Sequence, residues 1–244
     1  MKYLKTISLM ALLVVVAACG NQKKFEKSPI DIMVKKLTDD KVKPFTILLY
    51  DMEEKGSFSK SYHHQYKIIT HLPDSTARED TTQWYEVSKS FFALHENDMG
   101  MEVASMNDEG VLSKTVAPPG YGNYVGNSRY GHWQTDASGH SFWAFYGKYM
   151  FFSSMFHMLA YPAYRSHYGD YRSNYYGRNR GYYGPKTSNG QSTYGTYSKY
   201  NQTTSKSSKY TSSGNFKQKV QSRTQRSTGR YGRSSRSRGG GFGK

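Results

Sequence analysis

Between Ser28 and Asp40 the apolar residues Ile30, Val34 and Leu37 recur at helical spacing, with Met33 beside them, and predict a short amphipathic helix. Ser28 can cap it, Pro29 suits its first position, and Asp31 falls in the first turn, where the helix dipole favours an acid. Pro44 ends this pattern, and the period changes after it. "FTILLYDMEE" (45–54) reads as a strand, and "GSFS" as a turn into "KSYHHQYKIITHL" (60–72). In that second run Tyr62, His64, Tyr66 and Ile68 alternate with His63, Gln65 and Lys67, the period of a half-buried strand. After a polar loop come "QWYEVSKSFFALHE" (83–96), "MGMEVASM" (99–106) and "GVLSKTVA" (110–117), the last two divided by the turn "NDEG". Residues 28–117 therefore predict a small α+β domain, with an N-terminal helix against an antiparallel sheet of four or five strands.

The next segment, 118–162, changes character. "APPGYGNYVGNSRYGHWQTDASGH" (117–140) is turn-rich and aromatic, and "SFWAFYGKYMFFSSMFHMLAYP" (141–162) is strongly apolar. Three readings of 141–162 stay open: a helix packed on the sheet, an interfacial helix, or a membrane span. The interfacial reading would place Trp143, Phe145, Phe151, Phe152 and Phe156 against lipid or a partner. Gly147, Lys148, Ser153 and Ser154 count against a span.

Charge divides the chain more sharply than hydropathy does. Residues 1–162 hold 17 Lys+Arg and 17 Asp+Glu, whereas 163–244 hold 17 Lys+Arg and a single acid, Asp170. The whole net charge of +16 therefore lies in the last third. That third is rich in Tyr, Gly, Ser and Arg, and Val220 is its only branched aliphatic. This composition predicts a long disordered, low-complexity cationic tail over 163–244. Arginines interleaved with aromatic residues suit contact with anionic groups and stacking on ring faces. The candidate anion-binding residues are Arg165, Arg172, Arg178, Arg180, Arg223, Arg226, Arg230, Arg233, Arg236 and Arg238.

The amino terminus supplies a compartment. Lys2 and Lys5 precede the apolar run "TISLMALLVVVAA", and small residues follow, the arrangement of a secretory signal peptide over 1–18. Val16-Ala17-Ala18-Cys19 resembles the bacterial lipobox, and Cys19 is the only cysteine in the sequence. The resemblance implies cleavage before Cys19 and lipidation of its thiol with diacylglycerol, and palmitate-type N-acylation besides, with 19–27 as a linker. Each buried methylene contributes about 0.8 kcal/mol, so two or three chains would anchor the protein stably. Gly20 carries no acidic retention signal, which favours the outer membrane. In that compartment the available polyanions are lipopolysaccharide and other envelope polymers or lipids, and cellular nucleic acid is not a partner.

Catalytic patterns are absent. The eight histidines include no H-E-x-x-H, and a lone cysteine cannot support a cysteine-rich metal site. His64 and His71, an odd number of residues apart, should point to opposite faces of their strand. The carboxylates Asp51, Glu53, Glu54, Glu79 and Asp80 read as solvated acids. There is no nucleophile elbow, phosphate loop or dinucleotide fingerprint, and no cofactor is expected.

The ending "SRGGGFGK" (237–244), with the lipobox start, resembles the YgiB-like group of Gram-negative lipoproteins. "YVGNSRYGHWQTDASGHSFWAFYGKY" is similar to lipoproteins of Bacteroidetes-type bacteria. Both resemblances imply an envelope lipoprotein, and neither implies catalytic residues. The leading expectation is a non-enzymatic cell-envelope lipoprotein with an anion-binding tail. The alternative is an enzyme, or an accessory subunit of an envelope enzyme, using residues 28–162.

Overall fold

The longest pairing in the protein joins β1 (Phe45–Lys55) to β2 (Ser61–His71) in an antiparallel hairpin. It is seen in a computed structural model that describes residues 27–72, 76–178, 180–204 and 208–212. β3 (Ala77–Thr81) and β4 (Tyr85–Val87) both pair with β2, while β5 (Glu102–Met106) pairs with β1 and β6 (Leu112–Ser113) closes the edge. The sheet order is β3-β2-β1-β5-β6, antiparallel throughout. The expected N-terminal helix is α1 (Pro29–Asp39), capped by Ser28, whose hydroxyl accepts from the Asp31 amide at 3.1 Å. The fold is α+β, as the hydrophobic pattern predicts.

Both faces of the sheet are covered, and β1 shows how. Phe45, Ile47 and Leu49 point to one face, where Ile30, Met33 and Val34 of α1 and Phe92 of α2 (Lys89–Leu94) meet them. Thr46 and Leu48 point to the other. A register shift between Leu49 and Asp51 inserts one extra residue, and Met52 thereby returns to the first face despite its even number. His64 and His71 do lie on opposite faces. His64 packs among Phe91 and Phe92, and His71 against Tyr130 and Tyr149.

The second face carries a layer built largely from tyrosine and phenylalanine. Tyr121, Tyr124, Tyr130, Tyr149, Phe152, Phe156 and Tyr171 are all buried there, around Leu48 and Ile69 of the sheet. Asn123 fastens this layer to the strands, donating through Nδ2 to the carbonyls of Phe45 at 2.8 Å and Met106 at 3.0 Å.

Two expectations are corrected here. Residues 141–162 are not one helix: β8 (Ser141–Phe145) pairs with β7 (Gly131–Thr135), a 3-10 turn spans Gly147–Tyr149, and α3 covers only Phe151–Met155. An apolar run reads alike as buried strand or buried helix, and here the Trp133–Trp143 pair across the hairpin belongs to a strand. Among the described residues no helix is long and apolar enough to cross a membrane.

The second correction concerns the tail. Its first fifty residues are folded onto the body, with α4 (Arg165–Asn174), α5 (Lys199–Thr204) and α6 (Lys209–Ser212). Tyr171, Tyr182, Tyr194, Tyr200 and Tyr210 are buried, and Tyr210 belongs to the same core as Phe45 and Ile47. The expected boundaries at 117 and 162 are therefore crossed by shared packing. Scarcity of aliphatic residues misled, because a buried tyrosine removes roughly 150–250 Å² from water and can replace a leucine in a core. The remainder of the expected tail, 213–244, lies outside the described residues, as do the leader 1–18 and Cys19.

Candidate anion-binding surface

Helix α4 sorts its residues by chemistry. Tyr168, Tyr171 and Tyr175 recur at helical spacing and turn inward, where Tyr171 is fully buried beside Tyr121 and Tyr182. Arg165 and Arg172 stand on the helix, and Arg178 and Arg180 on the segment that follows it. Burial pushes the phenols of Tyr168, Tyr171 and Tyr182 up, so they stay neutral. The charge of this region is thus set by its arginines, with Asp170 as the one acid.

Three of the four guanidiniums lie over aromatic faces: Arg172 over Tyr176 at 3.9 Å, Arg180 over Tyr175 at 4.3 Å, and Arg165 over Trp133 at 5.9 Å. Stacking of this kind contributes about 0.5–1 kcal/mol at exposed sites and holds the cation in place without neutralising it. Arg178 reaches the Ser173 carbonyl at 3.4 Å. None of the four forms an ion pair with a carboxylate among the described residues. Four exposed, partly immobilised cations are a standing attraction for anions.

Two hollows flank this cationic segment. One, about 580 Å³, lies where α4 begins and is lined by His140, Tyr164, Arg165 and His167. Burial holds the His167 imidazole below its usual range, against the pull of Asp170. The other, about 540 Å³, lies beyond the end of α4 against the β6 edge, and Arg178 and Arg180 form one of its walls.

The second hollow also reaches a buried carboxylate that the sequence reading passed over. Asp98 is 2 % exposed, and it accepts from the Tyr183 hydroxyl at 2.6 Å and pairs with His95 Nδ1 at 2.8 Å. This fixes the imidazole, but no hydroxyl or thiol is hydrogen-bonded to His95 among the described residues, so the pair lacks an activated nucleophile. Glu102 was passed over as well. It is 1 % exposed, accepts from the Gly120 amide at 3.1 Å, and is pushed up to about 7 by loss of solvent. The available signal was an acid inside an apolar run, "MGMEVASM", in a strand whose five residues are all buried. Among the described residues no three His, Cys, Asp or Glu side chains are grouped to hold a metal.

The expected aromatic contact residues have another role. Trp143, Phe145, Phe152 and Phe156 are buried at 5, 4, 0 and 1 % exposure, and Phe151 is half-buried against them. They form the second core and do not present a face to lipid. Of the expected anion-binding arginines, the structure brings Arg165, Arg172, Arg178 and Arg180 to one region. Arg223, Arg226, Arg230, Arg233, Arg236 and Arg238 lie outside the described residues, like the candidate lipidation site Cys19. No family model matches the chain, and no curated protein or solved structure is similar to it.

Proposed function

We propose that this chain is a non-enzymatic lipoprotein of the cell envelope, anchored through Cys19 at the outer membrane, that associates with anionic envelope polymers or lipids through its arginine–tyrosine surface. The observation that carries the reading is the set of four exposed guanidiniums at Arg165, Arg172, Arg178 and Arg180, without carboxylate partners among the described residues and stacked on aromatic rings at three of the four positions. The lipobox-like sequence before Cys19, and the resemblance to Gram-negative envelope lipoproteins, supply the compartment. An anchor beside an anionic surface raises the local concentration of that surface, so weak individual contacts suffice.

The test has two arms. Metabolic labelling with a fatty-acid probe should mark the wild type and not Cys19→Ser; equal labelling would remove the anchor from the proposal. Sedimentation of the full chain with lipopolysaccharide or phosphatidylglycerol vesicles should weaken steeply as salt rises, because attraction of this kind is screened and rests on counterion release. Replacing the four arginines by glutamine should remove most of the salt-sensitive binding. Sedimentation that ignores both salt and the arginines would overturn the reading.

A further inference from the structure

The 540 Å³ groove is built from two unlike walls. One wall consists of Arg178 and Arg180, carried on the segment 176–183. The other contains Leu94, Val111 and Leu112, which are 70, 52 and 39 % exposed. Single exposed aliphatic residues are ordinary, but three on one groove facing two cations are a patterned surface.

The arginine-bearing segment is stitched down at both ends. The Gly177 amide donates to Thr115 Oγ1 at 3.2 Å, the Tyr182 amide donates to the Val116 carbonyl at 2.8 Å, and the Tyr183 hydroxyl donates to Asp98 at 2.6 Å. The cationic wall is thus fastened to the residues that follow β6, so little ordering is left for a ligand to impose. The other charged groups of the groove are already engaged: Lys114 with Asp31 at 2.5 Å, and Asp98 with His95. Arg178 and Arg180 are left to face an anion.

We propose that this groove binds one anionic phospholipid molecule, with its phosphate between Arg178 and Arg180 and an acyl chain along Leu94, Val111 and Leu112. A flat polyanion would use the arginines and leave the leucines in water; an amphiphile uses both walls. The inference rests on the reading that the protein works at a lipid surface, and it deepens that reading from diffuse attraction to a site for a single molecule.

The experiment uses the full chain and a soluble short-chain phosphatidylglycerol carrying a diazirine in one acyl chain, with the labelled residues mapped by mass spectrometry. Adducts are expected on the peptides containing Leu94 and Val111–Leu112. The double variant Arg178→Gln/Arg180→Gln should lower that labelling about tenfold or more, since a hydrogen bond to a charged group is worth about 1.5–3 kcal/mol. Its thermal unfolding should match wild type, because both side chains are exposed. Arg165→Gln/Arg172→Gln should label like wild type. A diacylglycerol probe without phosphate should label weakly, and excess inorganic phosphate should compete only partly.

Labels scattered over the surface, or lost equally in the two double variants, would overturn the site while leaving the envelope reading to its own sedimentation test. Complete displacement by inorganic phosphate would also overturn it, since the acyl wall would then contribute nothing. If vesicle sedimentation fails but groove labelling succeeds, the broad surface reading falls and the single-molecule site stands.

Discussion

The hydroxyl of Tyr197 donates to the Glu96 carboxylate at 2.6 Å, joining residues 101 positions apart. Beside it the Thr196 hydroxyl accepts from the Met99 amide at 2.9 Å, and Tyr210 packs edge-on against Phe92. The basic C-terminal third is thereby a structural member of the α+β body. Tyr197→Phe should cost about 1–2 kcal/mol of stability, since a hydrogen bond to a carboxylate is lost while the ring is kept. Tyr183→Phe, which removes a bond to Asp98, should cost a similar amount. Urea unfolding of the two variants checks both values. Unchanged midpoints would mean that the segment after residue 180 contributes nothing to the fold.

A backbone test of the same attachment is available at Gly195. Its φ is +95°, a conformation that residues with a side chain rarely adopt, and a Cβ there would lie 2.5 Å from the Asn97 carbonyl oxygen. Gly195→Ala should destabilise by about 1–3 kcal/mol, the usual cost of a strained backbone position. Amide exchange should show faster opening at Thr196 and Met99, whose amides are bonded across this junction. Gly139→Ala is the control for general glycine effects: it has a similar φ of +85° but open space around it, so strain alone would act there.

Two buried groups should give stability opposite slopes against pH. Loss of solvent raises Glu102 from 4.5 to about 7, so between those values the folded state holds more protons than the unfolded state. Stability from this residue is fullest at low pH and falls as pH rises towards 7, by on the order of 3 kcal/mol in total. His64 is lowered from 6.5 to about 3, first by burial and then by His95 and His63, and it behaves the other way. Its contribution is complete above 6.5 and is lost as pH falls towards 3. The two slopes oppose each other from 4.5 to 6.5. Glu102→Gln should unmask a stability that climbs with pH in that window, and His64→Gln one that declines. Parallel slopes in the two variants would show that neither group titrates as its surroundings imply.

The parts of this fold that were legible in the sequence are those governed by a short period. Helix α1, the β1–β2 hairpin and the opposed faces of His64 and His71 all follow from spacing alone. The second layer was not legible, because its side chains are tyrosines separated by glycines, a composition shared by disordered tails. What decides the matter is tertiary: Tyr121, Tyr171 and Tyr182 are buried because each finds the others and the sheet, and no local pattern announces that. The candidate site was half legible. Arg165, Arg172, Arg178 and Arg180 were identifiable as cations, but the hydrogen bonds at Gly177 and Tyr182 that position two of them join segments more than sixty residues apart.

The aromatic segment 141–162 offers the sharpest contrast between a core and a lipid-contacting surface. Phe152 has no exposed surface; its ring centroid lies 4.0 Å from Tyr124, 5.5 Å from Phe156 and 5.7 Å from Phe145, and it stacks on Phe156 with an interplanar angle of 3°. Truncating a fully buried phenylalanine removes its transfer energy and leaves a cavity, a combined cost of about 3–5 kcal/mol. Phe152→Ala should therefore shift the urea midpoint strongly. Phe151→Ala, at a half-buried position beside it, should shift it less. Vesicle binding measured under conditions where both variants stay folded should equal that of wild type, since neither ring meets lipid. A membrane-contact role would give the reverse result, with stability nearly unchanged and vesicle binding reduced in proportion to the apolar surface removed.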